Sequence, residues 1–189
     1  NVIDPAVQAV WSPDSSRVFT LQLDTRNLDE RPTIHYVQDD GSLAPKVDFV
    51  KGYAYPGDKI VETNRLLIIE MTSKKQVSVD YEKIPINPYG YCFFGSMSRQ
   101  YGWWSTDGSK AYFVATTRGC RKARLIELNP ETGAIRILHE ETSDTFVRLA
   151  NFCDESPLFV PLPKTDECLW FSERSGYGHL YLYDLKTGE

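Results

Sequence analysis

"WSPDSSRVFT", residues 11–20, and "WSTDGSKAYF", residues 104–113, share one layout: Trp-Ser, a residue, Asp, a small polar pair, a cation and an apolar run. The polar part is turn chemistry. Pro13 presets φ, Asp14 and Asp107 can bond their own backbone, and Gly108 tolerates positive φ. Val18–Leu21 and Ala111–Val114 then read as short strands of β-branched and aromatic residues bounded by turn residues. The preceding Trp has enough apolar bulk to pack between neighbouring sheets. On this reading Trp104 is a packing residue, and Trp103, on the opposite face of a strand, is expected to matter less.

A third unit, "LPKTDECLWFSERSGYGHLYLYDLKTGE" (residues 162–189), keeps the layout without the Trp-Ser start. It predicts a turn at 164–166, a strand at 168–171, a turn at 175–178 and a strand at 180–183. Its closing "YDLKTGE" repeats the pattern of "ELNPETGAIRIL", residues 127–138. In both, a strand runs into a polar turn closed by Thr-Gly. After Thr132-Gly133 the chain returns as a strand. After Thr187-Gly188 one residue follows, so a returning strand is expected to be missing.

Four short strands with tight turns, repeated along one chain, predict an all-β partial β-propeller of two to three four-stranded antiparallel blades. A β-sandwich or an open meander is the alternative. The expected units are 11–85, 86–150 and an incomplete 151–189. Within the first, strands are expected at 17–23, 33–37, 47–55, 65–71 and 76–79, with an embellished middle. No segment has the length and apolar period of a helix.

The chain has 189 residues, 41% of them hydrophobic, enough for a core. No stretch approaches the length of a membrane span. Net charge is -5 and the lysines and arginines are dispersed, which argues against nucleic acid as a partner. Cys92, Cys120, Cys153 and Cys168 lack Cys-x-x-Cys spacing, and His35, His139 and His179 are scattered, so neither a metal site nor a cofactor is expected. Cys168 sits in a strand run and reads as a small buried hydrophobe.

A serine hydrolase needs an exposed nucleophile, a base and an orienting acid. The Gly-x-Ser-x-Gly elbow is absent. Ser96 and Ser98 in "FFGSMSRQYG" come nearest and read as loop serines. His139 and His179 read as polar strand-end residues. Glu140-Glu141 could grip an ammonium group as a pair, but the simpler reading is a solvated strand end. No catalytic residue is expected in this chain.

The run "WSPDSSRVFTLQLDTRNLDERPTIHYVQDDGSLAPKVDFVKGYAYPGDKIVETNRLLIIEM" and the closing "WFSERSGYGHLYLYDLKTGE" resemble the amino-terminal propeller of the dipeptidyl peptidase IV branch of the prolyl oligopeptidase (S9) family of serine peptidases. The resemblance covers nearly the whole chain. It implies a slice of an eight-bladed propeller that gates an α/β-hydrolase domain of the same polypeptide, where the Ser-Asp-His triad would lie. It implies peptide substrates of the full-length enzyme and a periplasmic or secreted setting. The family's double-glutamate helix, which grips the substrate amine, would fall at or before Asn1. An aromatic just before the last unit would line the substrate pocket, and Phe152 in "NFCDES" falls there. The other class of reading is a stand-alone propeller-like module that binds peptides or proteins. A slice with unpaired strands is also expected to self-associate through a blade face or through the edge at 180–183.

Overall fold

The computed structural model describes residues 9–51, 54–55, 57–81, 84–85, 101–149 and 157–189. Among them every regular element is a strand, and every strand pairing is antiparallel. The fold is all-β, a partial propeller of successive antiparallel sheets.

The first sheet joins β1 (Ala9–Trp11), β2 (Arg17–Asp24) and β5 (Thr63–Glu70). Beyond β5 lie two short strands, β6 (Gln76–Ser78) and β7 (Ile84–Pro85), which pair with different parts of it. The embellished middle is a separate hairpin of β3 (Glu30–His35) and β4 (Lys46–Lys51), inserted between β2 and β5. Those two strands still pair over eight residues, Arg17 opposite Glu70 through Asp24 opposite Thr63. The hairpin strands begin and end earlier than the sequence suggests. Register puts Pro32 opposite Phe49 and Ile34 opposite Val47 on one face, which stays exposed. Arg31 and Arg118 anchor the segment that follows. Arg31 lies over the Tyr55 ring and donates to Asp58 at 2.6 Å, and Arg118 donates to the carbonyls of Tyr55 and Asp58.

The second sheet runs β8 (Gly102–Trp104), β9 (Ala111–Thr116), β10 (Lys122–Leu128), β11 (Ile135–Thr142) in sequence order. The third runs β12 (Phe159–Leu162), β13 (Glu167–Ser172), β14 (His179–Asp184).

The core sits in the second sheet because it is covered on both sides. Every residue of β9 is buried, as expected of a strand with two apolar faces. This corrects the expectation for Trp103. Both Trp103 and Trp104 are 6% exposed. Trp103 stacks on Tyr112 at 5.6 Å and leans on Phe159 of the third sheet at 6.1 Å. Trp104 faces the first sheet and donates its indole N–H to the Val10 carbonyl. Trp11, in the matching place of the first copy, is 53% exposed.

The repeated turns have repeated bonding. Ser12 Oγ lies 2.6 Å from Asp14 Oδ1, and Ser105 Oγ lies 2.6 Å from Asp107 Oδ1. Each serine hydroxyl also accepts the backbone N–H five residues on, from Arg17 or Lys110. Each aspartate accepts the N–H two residues on, from Ser16 or Ser109. Ser15 and Gly108 occupy the same left-handed position, with φ of 60° and 70°. The Thr-Gly turns match as closely. Asn129 and Asp184 each accept two backbone N–H groups with Oδ1, and Thr132 and Thr187 each accept one with Oγ1.

Candidate functional site

The residue types of a hydrolytic triad do meet in this chain, at the joint between the second and third sheets. Glu141 and His139 lie on β11, and Ser172 ends β13. Glu141 and His139 alternate with Glu140 along the strand, so Glu140 faces the other way. It pairs with Arg124 at 2.6 Å and Lys122 at 3.2 Å, on its own sheet. Those hydrogen bonds, Arg124 first, hold its carboxyl below the usual range. The two glutamates therefore do not form a joint ammonium grip, and Glu141 is not a solvated strand end. Its side chain is 11% exposed. It receives the indole N–H of Trp170 and the hydroxyl of Ser172, each at 2.7 Å.

His139 is likewise not a polar strand-end residue. Its side chain is 13% exposed. It sits at 4.3 Å from the Tyr183 ring and meets the Trp170 ring edge-on at 5.4 Å. Its Nε2 is 3.2 Å from the Tyr183 hydroxyl, which also accepts Arg174 Nη1 at 2.7 Å. Burial lowers its pKa, against the nearby Glu141.

This wiring does not suit nucleophilic catalysis. A triad serine donates to the histidine and is open to substrate. Ser172 donates to Glu141, bypassing His139, and is 2% exposed. The thiols offer no substitute. Cys120 and Cys168 are buried and free, and burial pushes the Cys168 thiol up to about 12. A buried protonated thiol is a poor nucleophile. Among the described residues no group of three or more His, Cys, Asp or Glu could hold a metal ion. An open cleft of about 410 Å³ lies across the same two sheets, lined by Ser105, Asp107, Lys110, Tyr112, Asp166 and Lys186 among others. Lys110 is bound to Glu127 at 2.7 Å and Lys186 to Asp166 at 3.2 Å. Phe152, Ser96, Ser98, Cys92 and Cys153 lie outside the described residues. No helix among the described residues is long and apolar enough to cross a membrane.

What the geometry builds is a set of joints between successive sheets. Gly133 O accepts Asp80 N–H at 2.8 Å, and Arg136 donates to Leu185 O at 3.1 Å. Thr106 donates to Pro163 O at 2.6 Å, and Arg17 pairs with Glu131 at 3.2 Å. Sequence reading missed the Glu141 and His139 joint because its partners lie about thirty to forty-five residues away. Only the outcome of folding brings them together.

The family model for the dipeptidyl peptidase IV (DPP IV) N-terminal region matches residues 2–189. The chain belongs to this family. Among solved structures, a Bacteroides ovatus protein assigned as a dipeptidyl aminopeptidase IV is 20% identical, with a TM-score of 0.63. The match covers 96% of this chain and 23% of that one. Dipeptidyl peptidase 4 of Porphyromonas gingivalis is 17% identical with a TM-score of 0.64, over 95% of this chain and 23% of that one. The chain thus spans about a quarter of these proteins' length. At these identities the likeness is one of fold. Comparison with curated proteins finds no match.

Proposed function

We propose that this chain is a non-catalytic propeller portion of a serine dipeptidyl or oligopeptidase, which gates peptide substrates and scaffolds an α/β-hydrolase domain of the same polypeptide. The observation that carries the reading is the wiring of the joint between the second and third sheets. Its Ser, His and Glu are used to fasten sheets together, in a chain that belongs to the DPP IV N-terminal family. Phe152, just before the third sheet, is proposed to line the substrate pocket.

The test compares the chain with the full-length polypeptide. The chain alone is expected to leave Xaa-Pro chromogenic dipeptides intact and to escape labelling by a fluorophosphonate. The full-length polypeptide is expected to do both reactions, with KM raised by Phe152→Ala. Stoichiometric labelling of a serine within residues 1–189 would overturn the reading. A reading frame that stops soon after Glu189 would favour a stand-alone binding module.

We further propose that the isolated chain self-associates along β14. Leu180 and Leu182 there are 69% and 52% exposed, and among the described residues no strand pairs with the outer side of β14. An open apolar strand edge is a template for pairing. Light scattering at micromolar concentration is expected to give a mass above that of one chain, and a strict monomer counts against the proposal.

A further inference from the structure

We propose that His139 is an acid-sensitive latch between the second and third sheets, closed when its Nε2 is bare and opened when Nε2 takes a proton. The argument starts at the Tyr183 hydroxyl. Its oxygen accepts Arg174 Nη1 at 2.7 Å, and an arginine has only donors to offer. The phenol's own proton is then free to point at His139 Nε2, 3.2 Å away on the neighbouring sheet. That bond requires Nε2 to be an acceptor, so the imidazole is neutral with its proton on Nδ1.

A proton from solvent on Nε2 turns this acceptor into a donor. Two donors, Arg174 and His139, then converge on one phenol oxygen, and the phenol proton must swing away from both. A second positive charge also appears beside Arg174 in a site with little water.

Among the described residues, the charged and titratable neighbours can be placed. On β11 itself, Glu141 lies 3.8 Å from Nε2 and favours the proton, and Glu140 does so more weakly from the opposite face. From β10, Leu125 lies opposite His139, and Arg124, opposite Glu140, is engaged with that glutamate. From β13 come the Trp170 ring edge and Ser172, both tied to Glu141. From β14 comes Tyr183, and from the turn before it Arg174. Glu141 holds Trp170 and Ser172 with one oxygen each, has lone pairs left, and favours the proton through its charge without releasing either partner. Opening therefore acts on the contact between His139 and Tyr183.

The test is imidazole nitrogen NMR of the 189-residue chain between pH 4.5 and 8. Contacts to the Trp170 and Tyr183 rings assign His139 without any variant. The expected result is an Nδ1-protonated ring at pH 7.5, titrating below the ordinary value of 6.5. Arg174→Gln is expected to move the midpoint up and Glu141→Gln to move it down. The urea midpoint is expected to fall as pH falls below about 6.5, because the unfolded chain then binds the proton more readily. A proton on Nε2 at pH 7.5, a midpoint at or above 6.5, or a midpoint unmoved by either variant would overturn the proposal.

Discussion

The indole N–H of Trp104 lies 3.1 Å from the carbonyl oxygen of Val10, so the first strand of one sheet is bonded to the first strand of the sheet before it. Truncating Trp104 to Ala removes that bond and leaves a large cavity between the sheets. The expected destabilisation is about 3–5 kcal/mol. Trp103, buried to the same degree on the opposite face, is expected to behave alike. Urea melts of the two variants check this. Equal midpoints for Trp103→Ala and the parent chain would place that residue at a rim.

The neighbours Glu140 and Glu141 are expected to differ sharply. Glu141→Ala strands the buried indole N–H of Trp170 and the buried hydroxyl of Ser172. Leaving buried polar groups without partners costs roughly 1–3 kcal/mol each. Glu140→Ala breaks solvent-screened ion pairs with Arg124 and Lys122 and is expected to cost little. Paired denaturant melts should therefore separate the two variants by more than 1 kcal/mol. Similar losses would mean that the joint does not depend on Glu141.

The contrast shows what sequence could and could not disclose. The turns were legible because their bonds are local: Ser12 to Asp14, Asn129 to Thr132, Asp184 to Thr187. Strand positions followed from the apolar runs between them. The hairpin at 30–51 was harder to bound, since its strands are largely exposed and lack a clean apolar alternation. The burial of Trp103 was not legible. Alternation assigns one face of a strand to solvent, whereas a sheet lying between two others has no solvent face. The roles of Glu141 and His139 were hidden for the same reason, their partners belonging to another sheet.

Gly133 holds the Thr-Gly turn of the second sheet against the end of β6 in the first. Its φ is 78°, and a Cβ there would lie 2.1 Å from the backbone oxygen of Ser78. Gly133→Ala must strain the backbone and push two sheets apart. Gly176, with φ of 91°, has open space where a Cβ would go. Gly176→Ala is expected to cost only the left-handed penalty, about 1–2 kcal/mol. Gly133→Ala is expected to exceed it by at least about 1 kcal/mol, in the range of overpacking changes. Thermal melts of the two variants side by side make the comparison. Equal losses would show that the turn of the second sheet is not fitted against β6.

The repeated Ser-x-Asp turns also set how the chain responds to acid. Hydrogen bonds from Ser12 and Ser16 hold the Asp14 carboxyl down at about 2, and those from Ser105 and Ser109 do the same for Asp107. Their ordinary value is 3.8. Between these limits the unfolded chain binds more protons than the folded one, so stability falls as pH falls. Above about 5 both states carry the charge and the contribution is complete and level. Replacing both residues, as Asp14→Asn with Asp107→Asn, keeps an acceptor in each turn and removes its titration. The urea midpoint of the parent chain is expected to drop between pH 4 and pH 2.5, and that of the double variant to drop less. Identical slopes would show that the turns are held by their backbone bonds, Ser12 N–H to Arg17 O and Ser105 N–H to Lys110 O, and that the carboxylates only accompany them.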